Sequence, residues 1–178
     1  MIIDANASVR TLPRQFDAIK VSGGINLFLS QSDNVAIAVS AGNENYKAGI
    51  KTVIEDGTLK IFYKGENNRR KKDGKLRVYG SFKYINKLEA SGASDVLVTG
   101  IIHTASLAIQ MSRACDFSGK LKVDVLKLNL SGASDARISG TAGTAVMQST
   151  GASDIKYKGT AVIKEKQIND ASSIVKVN

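Results

Sequence analysis

The chain is predicted to be all-β, a right-handed parallel β-helix with coils of about 19–21 residues. Three observations carry this. The pentapeptide Ser-Gly-Ala-Ser-Asp stands at Ser91–Asp95 and Ser131–Asp135, and returns with one conservative change at Thr150–Asp154. Degenerate copies occupy Ser112–Asp116 and Asn169–Ser173, so the five copies begin at 91, 112, 131, 150 and 169, at spacings of 21, 19, 19 and 19 residues. Around each copy, polar and apolar residues alternate with a period of two, as a half-buried strand requires. A unit this short has no room for a full helix, and it suits a coil that stacks on its neighbours about 4.8 Å away. Right-handedness follows from the near-universal hand of parallel crossovers.

The elements follow in order. Residues 9–87 read as larger, less regular coils and residues 88–178 as the regular repeat, all within one domain (1–178). In the first part, Ser22–Asn26 aligns with the pentapeptide, with Ser22 on Ser91, Gly23 on Gly92 and Asn26 on Asp95. Strand alternation runs through Leu27–Leu29 and Val35–Val39, and Asn43–Lys47 is a helical turn or an irregular loop. Asp56-Gly57 reads as a tight turn between Thr52–Ile54 and Leu59–Tyr63. In the repeats, Leu88, Ile109, Leu128, Met147 and Lys166 precede the five copies by three residues and Ala90, Met111, Leu130, Ser149 and Ile168 by one, and these columns are assigned inward. Gly100, Gly140 and Gly159 are read as turn residues that end strands. The alanine in the third position of each copy is assigned to the interior for its size, and the glycine in the second to a backbone of positive φ. Arg113 and Asp170 in that second position make the positive φ look optional.

Two columns of polar residues are candidate surfaces. Asp95, Asp116, Asp135 and Asp154, with Asn26 as an earlier member, form an outward ladder. Like charges so spaced repel by about 1 kcal/mol per neighbour in water, so each carboxylate needs a donor. Asx-type bonds within its own corner supply that donor, and the column is assigned a structural role. The calcium β-roll pattern is missing and no metal ligands are assigned. Glu89, Gln110, Asn129, Gln148 and Gln167 form a second stack, suited to hydrogen-bonding a glycan or simply to stacking between coils.

Charge gives a third candidate. The chain carries a net charge of +9, and the run Lys64, Arg69, Arg70, Lys71, Lys72, Lys75 and Arg77 holds much of the excess against only Glu66 and Asp73. It reads as a loop protruding from the stack, either a solvated excursion or a foot for a polyanion such as acidic glycan, lipopolysaccharide phosphate or anionic lipid. No aromatics are interleaved with these cations, so nucleic acid is not expected as a partner. Catalytic residues and cofactors are not assigned. The single histidine, His103, is read as a turn residue, and the single cysteine, Cys115, stands where the other copies have serine and is read as a packed side chain. No P-loop, metal-ligand spacing or Gly-x-Ser-x-Gly occurs.

The Gly24–Asn26 triplet, the run Asp56–Ile61 and the serial Gly-Ala-Ser-Asp copies resemble the head GIN domain family, described as a putative auto-transporter adhesin, over about residues 9–178. The resemblance implies a right-handed β-helix, an extracytoplasmic (periplasmic or cell-surface) location and peripheral association with the envelope. It implies no catalytic residues and no assigned ligand. Met1–Asp4 lacks the basic start and apolar run of a signal peptide. Three function classes follow. The first is a non-catalytic surface binding, adhesion or envelope-scaffold domain contacting glycans or other polyanions. The alternatives are a polysaccharide-active enzyme on the same scaffold and a structural module that self-assembles into homo-oligomers through coil ends or walls.

Overall fold

The computed structural model describes residues 6–12, 15–65 and 75–177. In chain order it contains β1 (Ser8–Arg10), β2 (Ala18–Ser22), β3 (Ile25–Gln31), β4 (Ala36–Ser40), α1 (Glu44–Gly49), β5 (Ile50–Glu55) and β6 (Thr58–Tyr63). There follow β7 (Leu76–Phe82), β8 (Lys87–Ser91), β9 (Asp95–Ser112), β10 (Asp116–Leu130), β11 (Asp135–Ser149), β12 (Asp154–Ile168) and β13 (Ser173–Lys176). Together the strands make one curled sheet, a β-solenoid of about five turns.

From β8 onward the coils follow the repeat. β9, β10, β11 and β12 stack in parallel in chain order, and the register Asp116↔Asp135↔Asp154 reproduces the 19-residue period, with bulges between β9 and β10 and between β11 and β12. The inward columns are as expected: Leu88, Ile109, Leu128 and Met147 are each only 1% exposed, and Ala90, Met111, Leu130 and Ser149 are also buried. Lys166 and Ile168 continue these columns in β12 but are exposed.

Two expectations need correction. Gly100, Gly140 and Gly159 do not end strands; they lie inside β9, β11 and β12. Their φ angles of 86°, 118° and 119° bend the backbone while the coil-to-coil ladder continues through the bend at Gly140 and Gly159. The alanines do not face the interior either: Ala93, Ala114, Ala133, Ala152 and Ala171 are all exposed, and the following position is buried in the first four copies and half-buried at Ser172. Their small size suits backbone conformation at two of them, since Ala93 and Ala114 take φ of 58° and 60°, where a larger side chain adds strain.

The first ninety residues join the solenoid in an order that the repeat does not reveal. β2 pairs in parallel with β8 on one side and β6 on the other, and β3 likewise lies between β9 and β7. The coil made by β6 and β7 therefore sits outside the coil made by β2 and β3, although it comes later in the chain. Beyond it the strands turn antiparallel: β5 pairs with β6, β4 with β7 and β1 with β4. These strands close an edge that would otherwise expose unpaired backbone. The β5–β6 connection is the expected tight turn, with Asp56 and Gly57 both at positive φ. α1 is a six-residue helix, with the Asn43 side chain accepting from the Tyr46 N–H at 2.9 Å. At the opposite end, β13 covers only Asp154–Tyr157 of β12. The rest of that edge carries Lys158, Lys164 and Lys166, charges that discourage strand addition.

The bends separate two kinds of glycine. A Cβ on Gly159 would lie 1.9 Å from the Gly140 carbonyl oxygen, whereas one on Gly100 would meet nothing within 4 Å. Gly100→Ala should therefore cost about 1–2 kcal/mol for its left-handed backbone, a fall of about 2–8 °C in melting temperature. Gly159→Ala should cost roughly twice as much or more, because backbone must move. Thermal melts of the two variants check this, and equal losses would refute it.

Candidate functional site

The corner occupied by the pentapeptide separates two walls of the solenoid, and the candidate residues line both sides of it. The second position of every copy adopts a left-handed backbone: Gly92, Arg113, Gly132, Gly151 and Asp170 have φ of 68°, 61°, 79°, 80° and 61°. The conformation is thus general and not optional, and the two non-glycine residues bear its strain. Backbone bonds cross from coil to coil here, such as Ala93 N–H to Arg113 O at 2.9 Å and Ala152 N–H to Gly132 O at 2.7 Å.

Behind the corner runs a column of buried hydroxyls. Ser94, Ser134 and Ser153, with Cys115 between, are fully shielded from solvent. Ser94 Oγ accepts from the N–H groups of Gly24 and Ile25, at 3.2 and 3.3 Å. Ser134 Oγ accepts from Cys115 N–H at 3.3 Å and donates to Ser131 O at 3.0 Å; Ser153 Oγ accepts from Ser134 N–H at 3.1 Å. Cys115 keeps half of this scheme, its Sγ donating to Ser112 O at 3.1 Å. Burial pushes the Cys115 thiol up, away from the thiolate that nucleophilic chemistry needs.

The carboxylate column is in register: Arg77, Asn26 and Asp95 are successive partners, and Asp116, Asp135, Asp154 and Ser173 continue the line. The donors come from the adjacent coil and not from each residue's own corner. Asp116 N–H donates to Asp95 Oδ1 and Asp154 N–H to Asp135 Oδ1, both at 3.3 Å, and Ser173 Oγ donates to Asp154 Oδ1 at 2.6 Å. Burial, opposed by the Asp116 N–H and reinforced by the Asp116 charge, raises the Asp95 carboxyl above the usual aspartate range. Among the described residues no group of three or more acidic, histidine or cysteine side chains is placed to hold a metal ion.

On the other side of the corner, the second stack is a continuous ladder. Lys60, Lys20, Glu89, Gln110, Asn129, Gln148 and Gln167 are successive partners. Asn129 Nδ2 donates to Gln148 Oε1 at 3.3 Å, and Gln148 Nε2 to Gln167 Oε1 at 3.2 Å, which orients that run of amides. Glu89 is held by Lys87 at 2.5 Å and Lys20 at 2.9 Å, and the hydrogen bond from Lys87 leads the effects that lower its carboxyl below the usual range. Beside the ladder runs a half-buried hydroxyl row, Ser22, Ser91, Ser112, Ser131 and Thr150. Between Glu89 and Asn129 the two rows border a groove of about 470 Å³ that Lys20, Gln110 and Arg113 also line.

Arg77 belongs to β7 and the carboxylate column, while Lys64 and Lys75 flank the connection between β6 and β7. That connection joins the same two walls that Gly23 and Gly24 join in the coil below. Arg69, Arg70, Lys71 and Lys72 lie outside the described residues. His103 is not in a turn; it stands within β9, where Gln31 brackets its backbone by donating to His103 O at 3.0 Å and accepting from His103 N–H at 2.7 Å. Lys20 and Arg113 were not picked out from sequence as site residues. Extending the Ser22–Ser91 alignment back two residues places Lys20 beside Glu89, and Arg113 is visible as a departure from the repeat.

Stacked coils with polar walls define a β-solenoid, and comparison with known proteins agrees. The sequence profile of the family described as "Putative auto-transporter adhesin, head GIN domain" matches residues 15–173, and the chain belongs to that family. No curated protein matches it. Crystal structures share the fold at low identity. A putative adhesin from Bacteroides fragilis aligns with a TM-score of 0.62 and 15% identity over 98% of both chains. A putative adhesin from Parabacteroides distasonis gives 0.58 and 15% over 96% of both. A putative lipid binding protein from the same species gives 0.53 and 16% over 98% of both.

Two stability predictions follow from the columns. Ser134→Ala removes the acceptor for a buried N–H and should cost about 1–3 kcal/mol, whereas Cys115→Ser, which restores the repeat, should leave the melting temperature within about 2 °C of the parent. Similar losses in both would contradict the hydroxyl column. For Asp95, a raised folded pKa means that the folded state holds the proton more tightly than the unfolded chain. Its contribution therefore worsens as pH rises from the usual aspartate range through the folded value. Asp95→Asn keeps the Oδ1 acceptor and should melt at or above the parent at pH 7, with a smaller advantage at pH 4. Paired melts at the two pH values test the sign.

Proposed function

We propose that this protein is a non-catalytic surface module that binds a glycan along its polar wall, using the ladder of Glu89, Gln110, Asn129, Gln148 and Gln167. Membership of an adhesin family supports a surface-binding role and an extracytoplasmic location. The observation that carries the reading is the state of the ladder. Each internal amide bond occupies one donor and one acceptor, while an amide offers two N–H donors and two acceptor lone pairs. Such a row presents directed polar groups at coil spacing to an extended polymer. The exposed Gln110 side chain makes no hydrogen bond among the described residues, so its amide faces solvent. The carboxylate column is structural in this reading, since each described bond in it goes to the neighbouring coil. The basic residues Lys64, Arg69, Arg70, Lys71, Lys72, Lys75 and Arg77 would add long-range attraction to a polyanion that weakens with salt.

The test is retention of purified protein on immobilised neutral and acidic glycans at low and high salt. Retention is expected on at least one class. Gln110→Ala should weaken it about fivefold, the loss of roughly one hydrogen bond, without shifting the melting temperature. Absence of retention on every glycan would overturn the reading.

A further inference from the structure

Arg113 carries backbone strain that no side-chain contact returns among the described residues, at a corner position that glycine fills in most coils. Four other positions at the same point of a coil are Gly23, Gly92, Gly132 and Gly151, which adopt positive φ without penalty. A fifth, Asp170, bears φ of 61°, but its Oδ2 accepts from Gly151 N–H at 3.2 Å and so helps to hold the adjacent coil. Arg113 bears the same φ, and Ala114 after it is also left-handed at 60°. Its guanidinium has no hydrogen-bond or ion-pair partner among the described residues. A non-glycine residue held in this region costs about 1–2 kcal/mol, and strain of this sort is characteristic of functional positions. The side chain projects from the corner and lines the groove that holds Gln110.

The chemistry of that groove is specific. Its charged groups are Lys20, Glu89 and Arg113, two cations against one carboxylate. Lys20 and Glu89 are already paired with each other and Glu89 again with Lys87, which leaves Arg113 as the uncommitted charge. Neutral polar groups complete the floor: the free Gln110 amide, Asn129 and the hydroxyls of Ser91 and Ser112. The only apolar residues are Ala90 and Met111, both directed into the core, so nothing here would receive an acyl chain. A planar guanidinium presents two parallel N–H donors matched to a carboxylate. Amides and hydroxyls around it match the hydroxyls of a sugar ring.

We propose that Arg113 is the anion anchor of this groove and that its ligand is an acidic polysaccharide presenting a uronate carboxylate to the guanidinium. The proposal rests on the polar wall being the glycan-binding face and names the class of glycan it takes. The coil at Ser112–Asp116 departs from the repeat because one strained corner there places a fork-shaped cation among neutral hydrogen-bonding groups. Of the neighbouring corners, Gly151 could not do the same, since a Cβ there would lie 2.5 Å from the Gly132 carbonyl oxygen; the nearest backbone atom would be at 3.0 Å for Gly132 and at 3.4 Å for Gly92.

Arg113→Gly tests this, because glycine restores the residue used in the other corners and removes the strain. The variant should fold and melt about 2–4 °C higher, from relief of roughly 1 kcal/mol. Binding would be measured for oligogalacturonate, its methyl ester and neutral dextran, with phosphatidylglycerol vesicles as a separate arm. The parent should prefer oligogalacturonate over the ester, and Arg113→Gly should lose about tenfold or more of that affinity while any dextran affinity is unchanged; Arg113→Lys should recover only part. If the parent binds glycans and Arg113→Gly binds oligogalacturonate as well as the parent, the anchor is wrong while the wall reading stands. If the parent binds none of the glycans, both fail. Arg113-dependent binding to the vesicles without binding to oligogalacturonate would overturn the ligand class.

Discussion

The constraint on which the structure depends is the need to turn a strand through a tight corner without leaving backbone N–H groups dry. A left-handed residue makes the turn, and the N–H groups around it then point where no strand can pair with all of them. The buried hydroxyl two residues later solves this, accepting from the coil before it and, at Ser134, closing its own turn through Ser131 O. A buried N–H without a partner costs about 1–3 kcal/mol, and the corner recurs in each regular coil. The geometry and the column of serines are therefore inseparable, and the pentapeptide is the record of that pairing. The small size of its residues follows from it: glycine for φ, serine for the hydroxyl and, at Ala93 and Ala114, alanine for a left-handed backbone.

Stacking then converts one solution into a surface. Because the corner fixes the register, every side chain outside it falls into a column at the coil spacing of about 4.8 Å. Columns of like charge would repel, and the two outer columns meet this differently. Asp95 and Asp135 receive backbone N–H groups of the adjacent coil and Asp154 the Ser173 hydroxyl, so that the repulsion is offset within the sheet. The ladder on the other wall mixes Lys20, Glu89 and neutral amides, which satisfy one another laterally and leave directed capacity outward.

Much of this was legible in the chain, and the limits have physical causes. The period gave the solenoid and its register because each coil must solve the same corner. Ser22–Asn26 was readable as a further corner for the same reason. The stacking order of the first coils was not readable: a period reports that two segments share a shape, not which lies outside. β6 and β7 sit outside β2 and β3 because the antiparallel pairings of β4 and β5 place them there, and antiparallel strands carry no trace of the 19-residue repeat. The assignment of alanine to the interior went wrong by taking small size as evidence of burial. Strict alternation from Ala90 through Val96 already puts Ser94 inside and Ala93 outside. A buried hydroxyl looks unfavourable only until its N–H partners are known. At the candidate site the two ladders were visible as spacing, but the groove was not. It needs Lys20 from a coil seventy residues away and a side chain, Arg113, that reads in sequence as decay of the motif.

The wall's rigidity bears on how it could hold a polymer. Loops that order on binding spend free energy on immobilising their side chains, of the order of 0.5–1.5 kcal/mol for each. Here the amides of Asn129, Gln148 and Gln167 are already oriented by one another, and the backbone beneath Asn129 and Gln148 is tied to both neighbouring coils and that beneath Gln167 to one, so that cost is largely met on folding. Individual contacts to sugar hydroxyls are weak, about 1 kcal/mol each, and discriminate poorly among glycans. A row of them along a straight edge gains by repetition, since a polymer held at one rung is presented to the next at high effective concentration. Discrimination then has to come from a point where the row is interrupted by something of different chemistry. In this wall the interruption is a single guanidinium carried by a strained corner, with neutral rungs on its far side. On the proposed reading this division suits the fold: the repeat would supply affinity by number, and the coil at Ser112–Asp116, which breaks the repeat, would supply choice.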